Sequence, residues 1–137
     1  MFKTIMVPSD GSKYSKKAED LAIEIANKHD AKIVAIYVIN ENLSQTYEAL
    51  EDFGNIILNN ITKKAKKFNV NVVEHLITGD PLRDMKFIAK QSKSDLIVIS
   101  PYGSNQDDYQ NQYDNLFFGS ITDRVLKTFD IPILIVK

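Results

Sequence analysis

The sequence predicts an α/β fold in which a parallel β-sheet is covered by helices on both faces. Five short runs rich in Ile, Val and Leu alternate with segments whose apolar residues recur at spacings of three and four. Most of the runs are near-continuously apolar, as strands buried on both faces are. The segments between them are long enough to carry a helix back across the sheet, which parallel pairing requires.

The first strand is read at Thr4 to Pro8 (TIMVP), followed by a turn at Ser9-Asp10-Gly11. A helix from about Ser12 to His29 presents Ala18, Leu21, Ala22, Ile25 and Ala26 on one face. The second strand is Lys32 to Ile39 (KIVAIYVI). A longer helix then places Tyr47, Leu50, Ile57, Leu58, Ile61, Ala65 and Phe68 on one stripe, with Gly54 as a weak point inside it. Lys63, Lys64, Lys66 and Lys67 read as its solvated face.

The third strand, Val70 to Ile77 (VNVVEHLI), alternates more than the others and is expected near a sheet edge. Gly79-Asp80-Pro81 opens the third helix, with Asp80 as the cap and Pro81 at the first helical position. Leu82, Met85, Ile88 and Ala89 form its buried stripe. The fourth strand is Asp95 to Ser100 (DLIVIS). The fourth helix is expected to follow Gly119, with Ile121, Val125 and Leu126 facing inward, and Pro132 to Val136 (PILIV) is the last strand.

The 137 residues suit one domain with one sizeable core. Lys and Arg total 17 against 18 Asp and Glu, a balance that gives no electrostatic case for nucleic acid. Cysteine is absent, which excludes disulfides and thiolate chemistry. No run approaches the roughly 20 apolar residues of a membrane helix, and no signal peptide is evident, so a cytoplasmic protein is expected.

In open α/β sheets ligands sit beyond the carboxyl ends of the strands, where strand order reverses. Two strand ends carry suitable residues, Pro8-Ser9-Asp10-Gly11-Ser12 and Ser100-Pro101-Tyr102-Gly103. Asp10 by itself suits turn and capping chemistry first, and a ribose hydroxyl or a base edge second. Amides at a helix start at Gly119-Ser120-Ile121 would suit an anion. P-loop, dinucleotide and nucleophile-elbow motifs are all absent. With His29 and His75 separated by a helix and a strand, and with no basic residue between Gly103 and Gly119, binding is expected rather than turnover.

KTIMVPSDGSKYSKKA, IYVIN, ITGDPLRDMKFIAKQSKSDLIVIS and GSITDRVLKTFDIPILIVK together resemble the universal stress protein family, with its UspA-like domains, over essentially the whole chain. The resemblance implies one Rossmann-like α/β/α sandwich over residues 1–137, with strand order 3-2-1-4-5 and four helices. It also implies a homodimer joined through Pro132 to Val136; a bare apolar edge strand invites such pairing. ATP or another adenine nucleotide, with Mg2+, is the ligand it implies. Pro8, Ser9, Asp10 and Val38, with Tyr102 and Gly103, would hold adenine and ribose.

Family members that bind ATP carry G-2x-G-9x-G-[ST] after the fourth strand. Gly103 matches the first glycine, Gly119 the third and Ser120 the next position, with Ile121 beside it. Gln106 replaces the second glycine, and twelve residues follow it before Gly119 in place of nine. Gln106 approaches a phosphate only at a steric cost that glycine avoids. Asp107, Asp108 and Asp114 add negative charge. Like charges about 6 Å apart repel by roughly 2–3 kcal/mol at an effective dielectric near 20.

The leading expectation is therefore a stress-response binding protein with a degenerate ATP motif and weak or absent ATP binding. The alternative keeps ATP and Mg2+ under a longer loop, with Tyr109, Tyr113, Phe117 and Phe118 shielding the ligand; for Phe117 and Phe118 the preferred reading is that they anchor the helix start in the core. A third reading gives residues 104–118 a protein partner.

Overall fold

The computed structural model describes residues 1–40, 45–103 and 112–137, with the helical backbone alone for 112–117. Its elements are β1 (Thr4–Ser9), α1 (Lys13–His29), β2 (Lys32–Val38), α2 (Tyr47–Lys66), β3 (Val72–Ile77), α3 (Pro81–Ser92), β4 (Leu96–Ile99), α4 (Gln112–Thr128) and β5 (Ile133–Ile135). All strand pairs are parallel, in the order β3-β2-β1-β4-β5. Order reverses between β1 and β4, which brings their carboxyl ends together.

Side chains alternate across the strands and divide the core in two. Ile5, Val7, Ile33, Ala35 and Tyr37 meet Ala18, Ala22 and Ala26 of α1 and Leu50, Ile57, Leu58 and Ile61 of α2. Met6, Val34, Ile36 and Val38 meet Leu82, Met85 and Ile88 of α3 and Phe118, Ile121 and Val125 of α4. This is the three-layer sandwich that the sequence predicts. β3 and β5 are its edges, and in β3 the successive residues Val73 and Glu74, on opposite faces, are both exposed.

The helix starts follow local chemistry. Ser12 caps α1 by accepting the Ser15 N–H at 3.1 Å, and Thr46 caps α2 by accepting the Ala49 N–H at 3.1 Å. Asp80 accepts the Arg83 N–H at 3.2 Å, and Pro81 takes the first turn of α3. His29 lies in the last turn of α1, where its Nδ1 accepts the Phe2 N–H at 3.2 Å.

Several expectations are corrected. α4 starts at Gln112, so Gly119 lies inside the helix and not before it. Leu126 points outward at 51% exposure, one residue past buried Val125. Tyr47 and Phe68 are also half exposed, Tyr47 because it opens α2 and Phe68 because α2 ends at Lys66. Gly54 is buried and closely packed: a Cβ there would lie 2.5 Å from both Leu76 Cδ1 and Tyr37 Cδ1. β5 is shorter than Pro132 to Val136, with strand pairing at Ile133–Ile135 only.

Candidate functional site

The ends of β1, β2 and β4 converge at one rim of the sheet. β1 delivers Pro8 and Ser9, both buried, and the chain then turns through Asp10 and Gly11 into α1. Gly11 has φ +80, a backbone conformation that L side chains rarely adopt, and an added Cβ would lie 2.5 Å from Ile57 Cδ1. The turn thereby swings the Gly11 N–H back to the Ser9 hydroxyl, which accepts it at 3.1 Å.

Asp10 serves the turn with one carboxylate oxygen. Its Oδ1 accepts the Ser12 N–H at 3.0 Å and the Ser15 hydroxyl at 2.8 Å. The Oδ2 faces the loop after β4, and a Cβ at Gly103 would stand 2.2 Å from it and 2.4 Å from Phe118 Cβ. Gly103 is thus the residue that lets the two loops and α4 meet.

The loop after β4 is fastened from both sides. Ser100 is buried, donates its hydroxyl proton to the Tyr102 carbonyl at 2.8 Å and lies 3.3 Å from the Ser15 hydroxyl. Its own carbonyl accepts the Thr122 hydroxyl at 2.8 Å, which pins α4 to the strand end. Across the crevice mouth Tyr14 and Tyr102 meet edge to face with ring centroids 5.0 Å apart.

Val38 closes β2. In parallel strands successive residues direct their peptide groups to opposite neighbours. Ile39 donates its N–H to Ile77 of β3 at 2.9 Å, so the Val38 peptide faces β1. The β1–β2 register ends at Ser9↔Tyr37. The Val38 carbonyl is thereby directed to the β1 side, past the last β1–β2 pair.

Glu19 is the polar residue that sequence reasoning missed. It lies on α1 at 3% exposure, accepts the Ser9 hydroxyl at 2.6 Å and accepts the Lys64 ammonium at 3.0 Å. Lys64 also reaches Asp20 at 2.8 Å. Burial works against the Lys64 charge, but the hydrogen bonds to Asp20 and Glu19 outweigh it and hold its pKa above the ordinary lysine value. Lys64 is therefore part of an ion-paired junction between α1 and α2, unlike its neighbours on the solvated face. A signal was present in sequence, since Glu19 occupies the stripe of Ser15, Ala18, Ala22, Ile23 and Ala26.

Pro8, Ser9, Asp10, Val38, Tyr102 and Gly103 all lie at the ends of β1, β2 and β4 or in the loops that follow them. Gly119, Ser120 and Ile121 lie within α4: Ser120 is exposed and Ile121 is buried against the sheet. Phe118 is fully buried. Gln106, Asp107, Asp108 and Tyr109 lie outside the described residues, as do the side chains of Tyr113, Asp114 and Phe117 and most of the expected partner loop 104–118. Among the described residues there is no cluster of three or more His, Asp or Glu suited to a metal ion, and no helix is long and apolar enough to cross a membrane.

The universal stress protein family profile matches residues 1–137. The chain belongs to the universal stress protein family. A universal stress protein of Methanocaldococcus jannaschii is 29% identical over 147 residues, covering 100% of this chain and 83% of the relative. A crystal structure of a universal stress protein in complex with cAMP aligns at TM-score 0.72 and 24% identity, over 99% of this chain and 97% of the other. The Archaeoglobus fulgidus universal stress protein in complex with dAMP aligns at TM-score 0.72 and 16% identity, over 100% and 98% of the two chains. These two likenesses establish the shared fold.

Proposed function

We propose that this universal stress protein binds an adenine nucleoside or nucleotide between the ends of β1, β2 and β4, holding base and ribose firmly and phosphate weakly. It acts by binding in the stress response and not by turnover. The supporting observation is the course of α4. With the helix starting at Gln112, the Gly119 and Ser120 amides fall in the hydrogen-bonded ladder and are no longer helix-start donors for a phosphate. The Gln106 substitution and the lengthened spacing to Gly119 point the same way.

The base and ribose half keeps its chemistry. The Val38 carbonyl suits an exocyclic amine, and Asp10 Oδ2 suits a ribose hydroxyl across from Gly103. The cAMP and dAMP in the two structural relatives are monophosphates, a ligand class that this arrangement accommodates. The test is to denature freshly purified protein, identify released small molecules by mass spectrometry, and titrate adenosine and ATP with and without Mg2+. Adenosine binding in the micromolar range with little gain from the triphosphate supports the reading. Stoichiometric co-purified ATP overturns it.

The β5 edge supports pairing with a second copy, because it is a free strand edge whose Leu134 is exposed. Sedimentation of a dimer at tens of micromolar, shifted to monomer by Leu134→Lys, is the expected result; a monomer throughout contradicts the pairing.

A further inference from the structure

A cavity of about 420 Å3 opens between the C-terminal ends of α3 and α4. Ser94 and Ile131, which lead into β4 and β5, both line it, so it lies at the amino ends of the parallel strands, on the rim opposite the crevice. Its volume falls within the range of small-ligand pockets, about 300–1,000 Å3. Lys86 and Lys90 of α3, with the cap residue Lys93, line one side; Phe129, Asp130 and Ile131, which follow α4, line the other.

Three ammonium groups against one carboxylate leave the lining with an excess of positive charge. Lys86 and Lys90 stand four residues apart, and Lys90 and Lys93 three. The three cations therefore share one face, where like charges repel. Among the described residues none of the three is ion-paired, whereas Lys28, Lys64, Arg83 and Lys127 are. Lys93 adds a backbone cost, because it holds φ +57 in the left-handed region that glycine, Asn and Asp adopt most readily.

Helix-end chemistry does not consume these cations. In α3 the Ile88 carbonyl accepts the Ser92 hydroxyl at 2.7 Å, and the Ala89 carbonyl accepts the Ser94 N–H at 3.0 Å. In α4 the Arg124 carbonyl accepts the Thr128 hydroxyl at 2.6 Å, and the Val125 carbonyl accepts the Phe129 N–H at 3.0 Å. The favourable effect of the helix dipole on a cation is confined to the last turn, and Lys86 lies six residues before the end of α3. Its ammonium stands instead over the Phe129 ring, 5.9 Å from the centroid.

We infer that this cavity binds a small organic phosphate, with the phosphoryl oxygens on Lys86, Lys90 and Lys93 and the organic part on Phe129 and Ile131. A phosphate dianion neutralises the excess charge, and its oxygens supply the acceptors that ammonium donors lack here. The apolar lining selects among phosphates: it gives inorganic phosphate nothing to bury, and an aryl or alkyl phosphate apolar area to remove from water. The site is separate from the crevice and does not depend on adenine binding there.

Amide NMR titrations of the full chain with phenyl phosphate and with inorganic phosphate, against sodium chloride of matched ionic strength, test the site. Phenyl phosphate is expected to give saturable shifts at the amides of Lys90 to Ser94 and Phe129 to Ile131, and to bind at least about fivefold more tightly than inorganic phosphate. Lys86→Gln/Lys90→Gln is expected to weaken it by about tenfold or more. Lys17→Gln/Lys66→Gln removes the same charge from α1 and α2, on the other face of the sheet, and is expected to change it by less than about twofold. Circular dichroism melts verify folding, and Lys90→Gln alone, at an exposed position, is expected to lose about threefold should the double variant not fold. Shifts that merely track ionic strength, saturable shifts confined to the ends of β1, β2 and β4, equal affinity for the two phosphates, or unchanged affinity in a folded lysine variant of the cavity each overturn the proposal.

Discussion

Replacing Gly119 with alanine separates a helix interior from a phosphate grip. The residue lies within α4 (Gln112–Thr128), and a Cβ added there would have its nearest contact with the Pro101 carbonyl oxygen at 3.6 Å, an ordinary van der Waals distance. Among the described residues no steric cost opposes the change. Glycine in a helix interior is about 0.8–1.0 kcal/mol less favourable than alanine, because it loses more backbone freedom on folding. Gly119→Ala is therefore expected to stabilise the protein by up to about 1 kcal/mol. For a chain of this size that raises the melting temperature by roughly 3 °C. Thermal melts followed by circular dichroism at 222 nm, with urea unfolding in parallel, measure it. ATP affinity is expected to be unchanged within about twofold. A destabilised Gly119→Ala variant, or one that loses ATP binding, would refute the reasoning: it would return Gly119 to a helix start with its amide on a phosphate.

Gly54→Ala is expected to cost about 1–3 kcal/mol in urea unfolding, since its Cβ would lie 2.5 Å from the Tyr37 ring and from Leu76 in a packed layer; a neutral result would show that layer to be loose. Asp95→Ala is expected to cost about 1–3 kcal/mol. The Asp95 carboxylate accepts the Lys3 N–H at 2.9 Å and the Thr4 N–H at 3.2 Å, so its loss should also raise amide exchange at the start of β1. Burial lowers the pKa of His75 below its usual 6.5, so the unfolded chain binds its proton more readily than the folded one. The resulting stability is complete above about pH 6.5 and is lost as pH falls through the lower folded value, and His75→Gln is expected to flatten that part of the stability profile.

The strand and helix order was legible because each element carries its own signal. β1, β2 and β4 read as continuous apolar runs since helices cover both faces, and Gly79-Asp80-Pro81 states a helix start in three residues. Leu126 and Phe68 were misplaced because periodicity gives a stripe but not its limits: one residue of rotation exposes Leu126, and the end of α2 at Lys66 leaves Phe68 outside the packed face. The start of α4 was misjudged for a related reason. Gly119-Ser120 has the composition of a helix start, and only the course of the backbone from Gln112 shows the pair inside the helix. Glu19 was missed because its pairing partner Lys64 is 45 residues away, a contact that only the packing of α1 on α2 creates.

The central claim is that affinity resides in base and ribose and not in phosphate. Dissociation constants for adenosine, AMP and ATP, each with and without Mg2+ in one buffer, test it directly. The account predicts that all three lie within about tenfold of one another, a spread of roughly 1.4 kcal/mol. ATP binding a hundredfold or more tightly than adenosine would contradict it.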